Sequence, residues 1–252
     1  YLKLSAACLT TTFVITQRTG ACQRIAFSEN EWAKDTLLPD LIAGKSFATV
    51  GISHLTTSRR HLAKPVLRAE EKNDGFVLDG FSPWVTGAPW AEHVVIGATL
   101  DDGRQVLIAL PMDLPGVSTP APPTLVGLNA SQTGQVKLDN VFVDRKWLLA
   151  GPAENVMRSG VGAGTGGLQT STLAIGMASG AIQYIFIEGQ QRSDLVEPAE
   201  QLQRDLDACQ RDLLSAAEGS PICSNEDLRV RANSLALRAS QAALAAAKGA
   251  GY

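Results

Sequence analysis

The spacing of hydrophobic positions changes twice along the chain. From Leu2 to Gln17, Leu4, Ala7, Cys8, Thr11, Thr12 and Ile15 return at three- and four-residue steps, the spacing of one helical face, although the segment's β-branched content works against a helix. Glu29 to Leu41 repeats the pattern with Trp32, Leu37, Leu38 and Leu41. Ser28 is placed to cap that helix, Glu31 follows as its capping-box partner, and Gly44 ends it. From Lys45 to about Gly151 the period becomes two. Val66–Glu70 and Gly75–Leu78 flank the polar turn Glu71-Lys72-Asn73-Asp74, and His93–Thr99 and Arg104–Leu110 flank Asp101-Asp102-Gly103, which predicts two hairpins.

A Pro-rich stretch, Pro120–Pro123, and a Gly-rich one, Gly160–Gly167, punctuate the chain, and the helical period then returns to the end. Leu168–Arg192 carries the small residues Gly176, Ala178, Gly180 and Ala181, which let helices approach closely. Leu202, Leu206, Cys209, Leu213 and Leu214 line a second helix, with Pro198 near its first turn, and Leu228, Ala232, Leu235, Ala239, Ala242 and Ala246 line a third. Hairpins without intervening helices argue for a small antiparallel barrel or sandwich, and the helices after it for a bundle, so the fold class is α+β. Gly162-Ala163-Gly164-Thr165-Gly166-Gly167 invites a dinucleotide-loop reading, but no strand-crossover unit surrounds it and no acidic residue follows at the expected distance. It reads as a hinge into a helix.

Composition narrows the function classes. With 252 residues, 45% hydrophobic and 19% charged, the chain can bury a full core as one or two packed units. A formal charge of -3 and the lack of a basic patch give no electrostatic reason to expect nucleic acid or an anionic membrane. Apolar runs such as Tyr184–Ile187 fall far short of the roughly 20 residues that cross a bilayer, so a soluble cytoplasmic protein without a membrane span is expected. Cys8, Cys22, Cys209 and Cys223 form no C-x-x-C pair and do not interleave with the three His residues. They read as buried small hydrophobes in a reducing compartment, with no metal site.

One stretch carries more specific information. Within Gly75–Ala88, Gly75, Gly80 and Trp84-Val85-Thr86 fall in the spacing of the "dG-x-x-x-x-G-x-K-x-W-I-T-n-a" run of the acyl-CoA dehydrogenase family, which the chain resembles. Ala43–Val50 resembles the "G-x-x-x-a-x-T-E-P" strand, Ala91–Ala98 the "A-d-x-x-v-v-x-A" strand, Asp113–Val117 the "pGv" turn and Ser131–Val143 the "S-x-T-x-x-l-x-f-d-d-V-x-V-P" strand, all in the family's order. The resemblance implies residues 1–44 as the tail of an N-terminal helical domain, 45–152 as an antiparallel β-barrel facing a flavin and 153–252 as part of a C-terminal helical bundle packed on it. In that layout the chain looks like a piece of a longer protein, beginning at Tyr1 and stopping at a Gly-rich turn.

By that resemblance the cofactor is FAD, with Trp84 packing beside the ring and Thr86 contacting its N5 edge. Phe47, Thr49 and Val50 lie in the strand that meets the pyrimidine end. Gly51-Ile52 replaces the family's Glu-Pro there, so either Thr49 or Ser53 supplies the hydroxyl. Gly249 and Gly251 fall in a turn used against the pyrophosphate, and Arg192 stands where an Arg reaches a neighbouring subunit's cofactor, in a reduced "R-x-x-F-G" motif, Arg192-Ser193-Asp194-Leu195. His54, Arg59, Arg60 and His61 form a basic loop that either meets a substrate or pyrophosphate or is merely solvated, and His93 faces a strand edge.

The resemblance implies an oxidoreductase that takes hydride from an acyl-CoA or another small acyl substrate, passes electrons to an unknown acceptor and assembles as a homodimer or homotetramer. Its base is a Glu, yet Gln169 occupies one of the two family positions, and a neutral amide cannot take a proton in that role. The catalytic residue is therefore unassigned. Two alternatives stay open, a two-component flavin monooxygenase on the same fold, which needs no such base, and a degenerate, non-catalytic member.

Overall fold

The computed structural model describes residues 1–56, 64–158 and 167–248. They pack as two compact units, the described residues of Val14–Thr165 in one and those of Tyr1–Phe13 with Gly166–Tyr252 in the other. The leading helical segment is broken in two, α1 (Leu2–Ala7) and α2 (Leu9–Ala26), because Cys8 is extended at φ -155° and ψ 101°. α2 also runs nine residues past Gln17, where the sequence pattern had faded.

In the larger unit α3 (Glu31–Ile42) forms where expected, but its cap differs. The Asn30 carboxamide oxygen accepts from Ala33 N at 2.9 Å, while Ser28 turns back to donate to Ile25 O at 2.8 Å. Asn30 also donates to the carbonyls of Lys146 and Leu148, so the cap ties this helix to the sheet's last strands. Leu37 and Leu41 are buried as expected, whereas Trp32 lies at the surface, edge-on to Trp147 at 4.9 Å.

The strands are β1 (Ala48–Gly51), then, after the single helical turn α4 (Ser53–Thr56), β2 (Leu67–Lys72), β3 (Gly75–Val85), β4 (His93–Leu100), β5 (Gln105–Pro111), β6 (Val117–Ser118), β7 (Gly134–Asp144) and β8 (Leu148–Ala153). They form one eight-stranded sheet in the order β6-β7-β3-β2-β4-β5-β8, with β1 beside β4. Both expected hairpins are present. The first turn is tighter than read, since pairing runs on to Lys72 opposite Gly75, and the second closes with Gly103 at φ +88°. The sheet is mixed rather than wholly antiparallel, because β1 and β2 both run parallel to β4.

Successive side chains of a strand face opposite sides, and here both sides are covered. Val94, Ile96 and Ala98 enter one core with Leu67, Phe76, Leu78 and Ile108, while Val95 enters a second with Ile25, Leu41 and Leu107. That is why β4 and β5 read as continuous apolar runs.

In the smaller unit α5 (Leu168–Gly189), α6 (Val196–Ala217) and α7 (Asn225–Ala246) join α1. Ile175, Ile182, Leu202, Leu206, Leu228 and Leu235 fill its core, and the Ser224 hydroxyl caps α7 by accepting from Asp227 N at 3.1 Å. The small residues of α5 act as read. A Cβ on Gly176 or Gly180 would lie 2.6 Å from Leu2 O or Ala6 O, so both glycines form the notch that admits α1.

Two sequence expectations need correction. α5, with 22 residues, is long and apolar enough to cross a membrane by length and composition, a feature that counting uninterrupted apolar runs overlooks; Ile175, Ala178, Ile182 and Ile185 bury one face of it in the bundle. Among the cysteines only Cys209 is buried; Cys8 is exposed, since the break between α1 and α2 turns it outward.

Candidate functional site around the end of β3

The end of β3 is shaped by a register irregularity between Ser82 and Val85 in its pairing with β7. A bulge of this kind re-aims side chains. Val85 is fully buried, and a Cβ on Gly51 of β1 would lie 3.0–3.1 Å from Ser82 Oγ and Val85 Cγ2, so Ser82 and Val85 both face β1. Trp84 is left 46% exposed and Thr86 only 3%.

Thr86 is held from inside. Its Oγ1 lies 2.9 Å from Thr133 Oγ1, which in turn lies 2.8 Å from Ser131 Oγ, giving a buried chain of three hydroxyls. Neither Ser131 nor Thr133 was singled out as a site residue from the sequence, although the S-x-T spacing that puts both on one side of the chain was visible. Gly87 follows at φ +68°, and its N–H donates to Ser131 O at 3.1 Å. A Cβ there would press on the Phe47 ring at 3.0 Å, so the glycine lets that half-buried ring lie against the turn. Phe47 is fixed by Glu92, whose carboxylate accepts from Phe47 N at 2.6 Å and whose own N–H donates to Phe47 O at 3.0 Å.

β1 supplies the polar groups. Thr49 is fully buried and its hydroxyl has no hydrogen-bond partner among the described residues, and the buried hydroxyl oxygens of Ser53 and Ser82 have none there either. Buried hydroxyls without partners are uncommon, because each costs about 1–3 kcal/mol. Val50 faces the other way, into the core with Ile25 and Leu41. Thus Phe47, Thr49, Ser53, Trp84 and Thr86 all lie in the larger unit, while Val50 packs as a core residue.

The basic-loop expectation fails for His54, which is buried rather than solvated. Its Nε2 lies 2.7 Å from Gly97 O and so carries the proton as donor, and Nδ1 has no partner among the described residues. Burial pushes its pKa down, opposed in part by the Gly97 carbonyl. His93 does not simply sit at a strand edge; it lies 5.3 Å from the Trp147 ring, and burial lowers its pKa against the pull of Glu92 and Asp113. Both shifts have one consequence for stability. The unfolded chain takes up protons first as pH falls below about 6.5, so stability holds above that value and declines below it as pH approaches the folded-state pKa. The urea midpoint is expected to drop between pH 7.5 and 5.5, and His54→Gln should make that drop shallower. A pH-independent midpoint in the unsubstituted protein would contradict this account.

Arg192, in the smaller unit, donates from Nη1 to Ala246 O at 2.8 Å and lies 3.6 Å from Asp194, so it stabilises the C-terminal end of α7. Gln169 lies half-buried in the first turn of α5. Gly249 and Gly251, the loop residues Arg59, Arg60 and His61, and Gly162–Gly166 of the hinge lie outside the described residues. No group of three or more His, Cys, Asp or Glu side chains placed to hold a metal occurs among the described residues. A cleft of about 560 Å³ opens nearby, lined by Ala88, Glu92, His93, Met112, Asp113 and Trp147, and neither Trp84 nor Thr86 lines it.

No protein-family model matches the chain. It is 25% identical over 189 residues to a probable acyl-CoA dehydrogenase of Bacillus subtilis (strain 168), a match covering 73% of this chain and 49% of that relative. In sequence the chain is thus similar to acyl-CoA dehydrogenases. Solved structures of such enzymes share its fold. Butyryl-CoA dehydrogenase from Megasphaera elsdenii superimposes with a TM-score of 0.85 at 17% identity, over 100% of this chain and 71% of that one. A glutaryl-CoA dehydrogenase in complex with glutaryl-CoA gives 0.84 at 18% identity, over 99% and 68%. The chain thus spans about half the length of the curated acyl-CoA dehydrogenase it matches.

The side chains around the end of β3 fit a flavin ring in kind. Trp84 offers an exposed aromatic face, Thr86 a hydroxyl anchored from behind, and Thr49 and Ser53 offer hydroxyls without a partner among the described residues.

Proposed function

We propose that this chain is part of an FAD-dependent oxidoreductase of the acyl-CoA dehydrogenase type, acting on an acyl thioester or a related acyl substrate. Residues 45–152 form its flavin-facing segment, 153–252 part of its C-terminal bundle and 1–44 the tail of its N-terminal domain. The observation that carries the reading is the exposed Trp84 beside the inwardly anchored hydroxyl of Thr86.

Bound FAD supplies the hydride acceptor at N5. Trp84 would pack against the ring and exclude water from that side, Thr86 would hold the N5 edge, and Thr49 or Ser53 would meet the pyrimidine edge, where a hydroxyl without a partner among the described residues would gain one. By likeness to relatives, Arg192 would reach the cofactor of a neighbouring subunit, and Gly249 and Gly251 would meet a cofactor pyrophosphate. The neutral amide of Gln169 is not basic enough to take a proton, so the α-proton of a dehydrogenase reaction would go to another group.

Gln169 also favours a second reading on the same fold, a flavin monooxygenase that borrows reduced flavin, since that chemistry dispenses with the base. Purified protein is expected to be yellow with a flavin spectrum. Bleaching by an acyl-CoA without oxygen supports the dehydrogenase, while consumption of oxygen with externally reduced flavin, and no bleaching, supports the monooxygenase. Protein that takes up no flavin in either redox state sinks both and leaves a non-catalytic subunit.

A further inference from the structure

The hydroxyl chain behind Thr86 does more than fill space. Thr86, Thr133 and Ser131 contribute three O–H protons to two hydrogen bonds, and all three residues are buried. The central Thr133 oxygen has one proton, so it cannot donate to both neighbours. When the chain runs from Ser131 through Thr133 to Thr86, the proton of Thr86 points outward. When it runs from Thr86 through Thr133 to Ser131, Thr86 gives its proton inward and presents only lone pairs. The two arrangements use the same oxygen positions and differ by turning three O–H rotors, with no bond made or broken.

A flavin N5 needs both. Oxidised, N5 is a bare acceptor that wants a donor; reduced, it carries a proton and wants an acceptor. We propose that Ser131 and Thr133 are positioning residues that let Thr86 switch from donor to acceptor as the flavin changes redox state. This inference rests on the flavin reading given above.

The backbone supports a placed rather than incidental chain. Ser131 ends a tight turn, Asn129–Ser131, flanked by Leu128 at φ +59° and Gln132 at φ +48°. Left-handed conformations are costly for residues other than glycine and persist only where the surroundings impose them. Here they bring Ser131 and Thr133 to the same side, and Ser131 O is fixed in turn by Gly87 N, one residue beyond Thr86.

The two redox states depend on the chain unequally. Without Thr133's oxygen, Thr86 still donates to oxidised N5 and loses only a partner for a lone pair. Toward reduced N5–H, however, its own proton has nowhere to go, and a buried donor left unpaired is the rarer and costlier defect. Thr133→Val, close in shape, should therefore weaken binding of reduced FAD about tenfold more than oxidised FAD, which for a two-electron couple is a midpoint potential lower by about 30 mV. Thr133→Ser should restore the wild-type potential, and Ser131→Ala, which removes only the far end of the chain, should lower it less.

The measurement is the affinity of the purified protein for oxidised and for dithionite-reduced FAD, with the bound-flavin potential as an independent readout. Loss of binding in both states alike, or a Ser variant that fails to restore the potential, would make Thr133 a packing residue and overturn the relay. If Thr133→Val does not fold, Ser131→Ala decides, and an unchanged potential there also overturns it. Wild-type protein that binds neither form overturns the flavin reading itself, whereas flavin bound with unshifted variant potentials overturns the relay alone.

Discussion

Gly80→Ala is expected to destabilise the protein by about 3 kcal/mol or more, enough to leave little folded material at 37 °C in a domain of ordinary marginal stability. Two penalties meet at this residue. Its φ is +124°, a backbone conformation that side chains other than hydrogen rarely adopt, worth on the order of 1–3 kcal/mol. A Cβ there would also overlap the carbonyl oxygen of Val66, and that carbonyl is not free to retreat because it accepts from Phe81 N at 2.9 Å. The residue sits where the β3–β7 register shifts between Leu78 and Gly80, so adding a methyl group forces the strand to choose between its bulge and its neighbour. Gly103→Ala provides the control. It has a comparable φ, +88°, in a hairpin turn with nothing near its Cβ position, and should cost only about 1 kcal/mol. Urea denaturation of the two variants separates strain from overlap. Equal losses would show that the contact with Val66 contributes nothing.

The same glycine shows why so much of this fold could be read from residues alone. In the resemblance Gly75 and Gly80 were only letters of a pattern; in the sheet, a Cβ on either would overlap a backbone carbonyl, of Val143 for Gly75 and of Val66 for Gly80. Hairpins and bundle helices were legible because their signals are local, turn residues such as Asp101-Asp102-Gly103 and stripes such as Leu202, Leu206 and Leu213. What depends on tertiary context was not. The parallel pairing of β1 and β2 with β4 follows from where the intervening chain returns, and period-two patterning cannot distinguish it from antiparallel pairing. The cap of α3 moved from Ser28 to Asn30 because Asn30 also has carbonyls of Lys146 and Leu148 to satisfy, groups far away in sequence. His54 looked like part of a basic loop because of its neighbours in sequence, yet its imidazole reaches the Gly97 carbonyl within β4. At the candidate site Trp84 and Thr86 were visible through their motif, while Thr133 and Ser131 acquire meaning only once the bulge in β3 brings their hydroxyls behind Thr86.

Trp84→Ala should separate folding from cofactor binding more sharply than any other single change. At 46% exposure the indole contributes little to the core, and an exposed side chain of this kind is expected to cost about 1 kcal/mol or less when removed. A large aromatic left at the surface beside fully buried Val85 is instead suited to stack on a planar ring, and aromatic stacking of that type is worth about 1–3 kcal/mol per ring. The expected result is a rise of roughly ten- to a hundredfold in the Kd for FAD, by the same scale of stacking energy, with a urea midpoint close to wild type. Trp84→Phe, which keeps a smaller face, should recover part of the affinity. Because Thr86 and its hydroxyl partners remain, any flavin still bound at high concentration should retain a wild-type difference in affinity between its oxidised and reduced forms. Fluorescence titration with FAD, paired with denaturation of the same samples, reads both quantities. An alanine variant that unfolds readily would reassign Trp84 to the structural core, and one that binds FAD as tightly as wild type would remove the end of β3 from the cofactor site.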